Sequence, residues 1–242
     1  MFYINKIKQY LHKKKREKKL DTITLDFIKT YPADSLFYIH PNKCGGTSIS
    51  NTFEAIEKKS AKKICYKGHS LKLKLLNKKS QYFFSIRDPI KRFYSGYYSR
   101  LKLNYDRPAE KLAFNKFPSA NILAESLNSK NKDIKKNALE AIYSIGDIKY
   151  HYDFWFKISE LKKNPPFYIL ETEKLNQDFE GLCKKLKISS INLPNNEIDR
   201  NANDNKDKEP ISNNGMINLR NHYLRDYKIY NYILSIKSKI NL

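Results

Sequence analysis

The chain has 242 residues, 40% of them hydrophobic and 13% aromatic, enough for one large core or two small ones, which excludes both a stapled miniprotein and wholesale disorder. Its 47 Lys and Arg outnumber 25 Asp and Glu to give a formal charge of +22, so the expected partner is an anion: nucleic acid, anionic lipid, or a phosphorylated or sulfated small molecule. No stretch approaches the roughly 18 uninterrupted apolar residues of a membrane-spanning helix.

Residues 1–34 read as a basic extension. Apolar side chains occur only at Phe2, Tyr3, Ile4, Ile7, Tyr10 and Leu11 ahead of the run Lys13–Lys19. With no long apolar core and no small-residue cleavage site this is not a secretory signal, and the expected compartment is the cytoplasm. The run either forms a solvated helix face or lies on the inner face of an anionic membrane. Lys greatly outnumbers Arg throughout, a bias that AT-rich coding also produces, so placed arginines carry more meaning than individual lysines. Cys44, Cys65 and Cys183 are odd in number and widely spaced; they indicate neither a disulfide framework nor a CxxC metal site, and fit a reducing compartment.

From Ser35 to the end the chain reads as one domain. Ser35–His40 is a short apolar strand stopped by Pro41 and Gly45-Gly46, and Thr47 onward is a helix with Ile49, Phe53 and Ile56 on one face. Lys63–Tyr66 and Tyr82–Ile86 are further strands. The second of these ends at Arg87-Asp88-Pro89, with Pro89 suited to a first helical turn and Ile90, Phe93, Tyr94, Tyr97 and Leu101 at helical spacing. Residues 104–150 offer no convincing strand and read as a helical insertion over the strand ends. His151–Leu161 reads as a helix whose His151, Tyr152, Trp155 and Phe156 either stack on a sugar or, more in keeping with such stripes, enter the core. Phe167–Leu170 is a fourth strand and Glu173–Leu186 a helix. Residues 191–214 form a polar loop, and Met216–Ile240 closes the chain as an amphipathic helix. Strands alternating with helices predict an α/β fold, a P-loop-like central parallel sheet flanked by helices.

Two motifs follow strands. In the first, His40-Pro41-Asn42-Lys43-Cys44-Gly45-Gly46-Thr47-Ser48, the glycines admit backbone N–H groups to a phosphate and Thr47 and Ser48 add hydroxyls. A Gly-Gly turn with a Ser/Thr cap is the plainer reading. Lys43 precedes the glycines, so this is not a Walker A loop. In the second, Arg87-Asp88-Pro89-Ile90-Lys91-Arg92-Phe93-Tyr94-Ser95, a guanidinium fork from Arg87 and a hydroxyl from Ser95 suit one phosphate, although Arg-Asp-Pro at a helix start also serves as a cap with a salt bridge.

Together the motifs resemble the two nucleotide-binding signatures of sulfotransferases, and most of all the carbohydrate enzymes of the heparan-sulfate 2-O-sulfotransferase type, because Gly68-His69 lies between them where that group has its base. The likeness runs unevenly from Leu36 to about Leu186, with a family-like Tyr223–Tyr227 run. Asn42 stands where the family commonly has Pro, and Cys44 where it commonly has Thr. The resemblance implies 3′-phosphoadenosine 5′-phosphosulfate (PAPS) as donor, 3′,5′-adenosine bisphosphate (PAP) as product and no metal. By the same resemblance Lys43 neutralises the leaving phosphate, the loop Lys43, Cys44, Gly45, Gly46, Thr47 and Ser48 binds the 5′-phosphate, Arg87 and Ser95 bind the 3′-phosphate, and His69 takes the acceptor proton. Lys206 is a candidate to close over the nucleotide. Arg100, Lys102 and Arg107 either contact an anionic acceptor or form a solvated face. The expected acceptor is a saccharide hydroxyl on a bacterial cell-surface glycan or its precursor. A P-loop-like kinase, and a non-catalytic basic protein for nucleic acid or anionic membrane, are the alternatives.

Overall fold

A computed structural model of the chain describes residues 2–103, 107–194 and 208–242, with side chains from Lys14 onward. Four strands, β1 (Leu36–Ile39), β2 (Ile64–Cys65), β3 (Gln81–Ile86) and β4 (Tyr168–Glu171), form one sheet in the order β2-β1-β3-β4, every neighbouring pair parallel. Phe37 pairs with Tyr82, Ile39 with Phe84 and Ile86 with Glu171. The α/β class expected from the sequence is the observed one.

Parallel strands covered on both faces need apolar residues at every position, and β1 is buried throughout. Its alternate side chains divide between two cores. Leu36 and Tyr38 meet Ile49, Ile56, Phe179 and Leu182 from helices α2 (Gly46–Ser50), α3 (Phe53–Ser60) and α9 (Leu175–Lys185). Phe37 and Ile39 share the opposite face with Trp155, Phe156, Leu161 of α8 (Ile158–Lys163), and Ile229 and Ile233 of α11 (Leu224–Asn241). A third cluster joins α4 (Pro89–Leu103), α5 (Pro108–Lys116), α6 (Ala120–Ser126), α7 (Lys132–Ser144) and α10 (Asn213–His222). Between residues 107 and 150 the described residues hold α5, α6 and α7 and no strand.

Three helices differ from the sequence expectation. The helix after the first motif is two short ones, because Thr52 turns its hydroxyl back onto the Ile49 carbonyl at 2.6 Å between them. Residues 151–161 are not one helix. Tyr152 N–H is taken by Asp226 and the Trp155 carbonyl by Leu73 N–H, so only a 3₁₀ turn at Tyr152–Phe154 precedes α8. The closing helix breaks at Tyr223, whose hydroxyl reaches the Ile148 carbonyl.

Helix α1 (Phe2–Lys29) packs Phe27 and Ile28 on the second core and holds Lys72 and Lys74 with Asp21, at 2.7 and 2.5 Å. Burial alone would raise the Asp21 carboxyl pKa; the hydrogen bonds and charges of the two lysines outweigh it and hold the group low. No helix among the described residues is long and apolar enough to cross a membrane.

Candidate active site

After β1 the chain passes through α2 and α3 to β2 on one side of the sheet, and after β3 it passes to β4 on the other. The two routes diverge at the carboxyl ends of the neighbouring strands β1 and β3, the place where open parallel sheets bind ligands. Both motifs sit there. The first begins with His40, directly after Ile39, and the second with Arg87, directly after Ile86.

The first loop turns sharply, with Lys43 at φ 63° and Gly45 at φ 76°. The left-handed region costs a side chain about 1 kcal/mol or more, so glycine suits position 45 and Lys43 is strained. Gly46 is required by close approach, since a Cβ there would lie 1.8 Å from Nε2 of His40. His40 is buried, with Nδ1 2.9 Å from the Tyr66 hydroxyl. Burial pushes its pKa well down, aided by the charges of His69 and Lys43.

The loop carries the other candidates with it. Lys43 donates from Nζ to Ser99 Oγ on α4 at 2.9 Å. Burial lowers the Lys43 pKa; Asp147 opposes that shift, while Arg87 and Arg100 reinforce it. Asn42 donates from Nδ2 to Asp147 at 3.0 Å, and its buried Oδ1 has no hydrogen-bond partner. Thr47 is exposed and Ser48 buried. Cys44 turns its side chain into the core, 3.6 Å from the Tyr152 hydroxyl, where burial raises its thiol to about 11. What position 44 can offer a phosphate is therefore backbone, not thiol.

Arg87 joins the motifs: Nη1 donates to the Lys43 carbonyl at 3.3 Å. Its Nε is buried with no hydrogen-bond partner, facing Glu173 at 3.8 Å. The Arg87 side chain as a whole is 24% exposed beside the glycine-lined loop, where a guanidinium can fork an anionic oxygen pair. Asp88 caps α4, accepting from the backbone of Ile90 and Lys91 at 2.9 and 3.0 Å. The capping role and the arginine's role thus fall on adjacent residues. Ser95 is buried in α4.

His69 lies in a 3₁₀ turn (Gly68–Ser70), exposed, with its ring 4.3 Å from that of His40. Its Nδ1 is 2.9 Å from the His40 carbonyl. A carbonyl only accepts, so Nδ1 carries the proton and the neutral ring keeps its lone pair on Nε2. Trp155 fixes the turn from behind by donating Nε1–H to the His69 carbonyl at 2.9 Å. Lys43, Arg87 and His69 are thus all tied to the His40–Lys43 backbone. Lys206 lies outside the described residues.

The sequence reading missed a buried network. Asp226, fully buried, takes Tyr152 N–H at 2.8 Å, Arg92 Nη2 at 3.4 Å and a short contact from His151 Nδ1. Arg92 also donates to the Tyr150 carbonyl at 2.6 Å and lies over the Tyr152 ring. The charged residues at 92 and 226 were the available signal, but 134 positions separate them and nothing in the local pattern pairs them. Trp155, Tyr152 and Phe156 are core, and His151 is committed to Asp226. Among the described residues no group of three or more His, Cys, Asp or Glu is placed to hold a metal ion.

A parallel sheet with a glycine-lined loop, a lysine and an arginine at its switch point defines an α/β protein whose two motifs meet at the carboxyl ends of the strands. The chain matches the sulfotransferase family over residues 27–233, most of its length, and belongs to that family. No curated protein and no solved structure gave a significant match.

Proposed function

We propose that the chain transfers a sulfuryl group from PAPS to a saccharide hydroxyl, leaving PAP. The observation that carries this is the convergence of Lys43, Arg87 and His69 on one stretch of backbone, His40–Lys43. The donor supplies a sulfuryl group already attached to a phosphate leaving group. The chain's own residues do the rest. Backbone N–H groups of residues 43–48 and the Lys43 ammonium take the charge that builds on the 5′-phosphate as it leaves. Arg87, with Ser95 on the following helix, holds the 3′-phosphate. Such preorganised charge is usually the largest catalytic contribution. His69 accepts the acceptor hydroxyl proton on Nε2, the nitrogen its bond to the His40 carbonyl leaves basic.

The acceptor side is cationic. The segment from Asp147, bonded to Asn42, to Trp155, bonded to the His69 turn, runs from the lysine to the base. Midway, burial lowers the Lys149 pKa, and Arg107, Arg100 and Arg16 push the same way against Glu110. Arg100 is neutralised by a two-pronged bond to Glu110. The excess of cations over the single carboxylate of Glu110 around Lys149 suits a saccharide that carries carboxylate, phosphate or sulfate. A cytoplasmic enzyme acting on a bacterial glycan precursor, with the basic α1 near an anionic membrane face, fits these features.

The test is thermal-shift titration of the full chain with PAP. A ligand that binds only the folded state stabilises it by about 2.7 kcal/mol at a hundred times its Kd, which for a chain of this size is about 5–10 °C. No shift at millimolar PAP in a folded sample refutes the assignment.

A further inference from the structure

At the end of β3 the ladder stops: Ile86 is paired with Glu171, and Arg87 is the first residue beyond. Its peptide groups are nevertheless held on both sides by one side chain. The Tyr152 hydroxyl accepts Arg87 N–H at 2.9 Å and donates to the Arg87 carbonyl at 2.5 Å. It takes the place of the missing rung. The same oxygen is 3.6 Å from Cys44 Sγ, so it touches both anion loops. A phenol has one proton and two lone pairs; the proton goes to the Arg87 carbonyl, one lone pair takes Arg87 N–H, and the other faces the thiol.

Tyr152 is itself immobilised. Its backbone N–H is bonded to Asp226, its ring lies under the Arg92 guanidinium at 4.9 Å, and it is fully buried. The Arg92–Asp226 pair thus anchors the residue that holds the Arg87 backbone, while the Lys43 carbonyl holds its guanidinium.

We infer that Tyr152 is a positioning residue for the donor site: its hydroxyl fixes the backbone of Arg87 so that the guanidinium is already aimed when the nucleotide arrives. This rests on the reading of Arg87 as a donor contact. Tyr152→Phe removes only the hydroxyl and keeps the ring, the cation contact and the bond to Asp226. The expected result, by calorimetry with PAP on the full chain, is about tenfold weaker binding.

Tyr82→Phe is the control. It removes an equally buried phenol hydroxyl, bonded to the Asn164 carbonyl at 2.5 Å, five residues or about 16 Å back along the same strand. It should lower the melting temperature comparably and leave PAP affinity unchanged, which separates positioning from general destabilisation. Because Tyr152 acts through Arg87, adding Tyr152→Phe to Arg87→Ala should cost little more than Arg87→Ala alone. Wild-type affinity in Tyr152→Phe, full additivity in the double variant, or an equal loss of affinity in Tyr82→Phe would each overturn the inference while leaving the donor assignment standing. Failure of the wild-type chain to bind PAP would remove both.

Discussion

Replacing Gly46 by alanine tests the geometry of the donor loop most directly. The added methyl would lie 1.8, 2.0 and 2.2 Å from Nε2, Cε1 and Cδ2 of His40, whereas carbon contacts need about 3.5 Å, so the ring or α2 must move by about 1.5 Å. The ring has little room: it is 5% exposed, stacks on Tyr38 at 5.6 Å between centroids and is bonded to Tyr66. Overpacking of a closed site costs about 1–3 kcal/mol, and the fixed neighbours place this case near the upper end, a loss of about 4–10 °C in melting temperature. Because the His40 carbonyl holds His69 and the loop carries Lys43, PAP affinity and transfer should fall as well. Gly68→Ala is the comparison. That glycine has φ 52° but nothing within 4 Å of an added Cβ, so only the conformational cost of about 1–2 kcal/mol applies. Scanning calorimetry and PAP titration of the two variants, with His40→Ala added to Gly46→Ala, check the argument. A Gly46→Ala protein as stable as wild type, or no relief of its defect by His40→Ala, would refute it.

Arg87→Ala should weaken PAP binding by about 1.5–3 kcal/mol, the worth of a charge-assisted contact, whereas Lys91→Ala, whose side chain is 60% exposed, should change it little; equal losses by calorimetry would mean that diffuse charge binds the nucleotide. His69→Ala should lower turnover about 10²- to 10⁴-fold with PAP affinity kept within a few-fold, measured by transfer of labelled sulfate beside nucleotide calorimetry; turnover near wild type would give the base to another residue. Stability should decline as pH falls from about 6.5 towards 4. Burial, with His151 adding to it and Asp226 opposing, lowers His222 to about 4, so the folded ring stays neutral where the unfolded one, near 6.5, takes a proton. Urea titrations should show this slope in wild type and a shallower one in His222→Gln; identical slopes would remove His222 as the cause.

The strands and the places of the two loops that follow β1 and β3 were legible because they depend on short-range chemistry. Apolar runs of four to six residues, stopped by Pro-Asn-Lys or Arg-Asp-Pro, specify a buried strand entering a loop whatever surrounds it, and β1 and β3 lie within a residue or two of where that pattern puts them. The helices that went wrong were those whose backbone answers to distant partners. Tyr152 N–H is claimed by Asp226, 74 residues on, and the Trp155 carbonyl by Leu73; local periodicity contains neither fact.

The same division runs through the site. Lys43, Arg87 and His69 could be singled out by type and motif, but the sequence could not say that all three hang on the His40–Lys43 backbone, nor that the buried His40 ring leaves room only for a glycine at position 46. Arg92 stands inside the second motif and looks there like one more donor for phosphate. Two of its nitrogens are instead buried without a partner, while the third is shared between the Tyr150 carbonyl and Asp226. An arginine so enclosed, 2% exposed, is out of reach of any ligand. Its desolvation is offset by a carboxylate that also anchors Tyr152, and Tyr152 in turn holds Arg87. On the proposed reading the second motif contributes one arginine to the donor site and one to its foundation, and substitutions at positions 87 and 92 should differ in kind: the first weakens binding in a folded protein, the second leaves Asp226 buried without its cation and unfolds it.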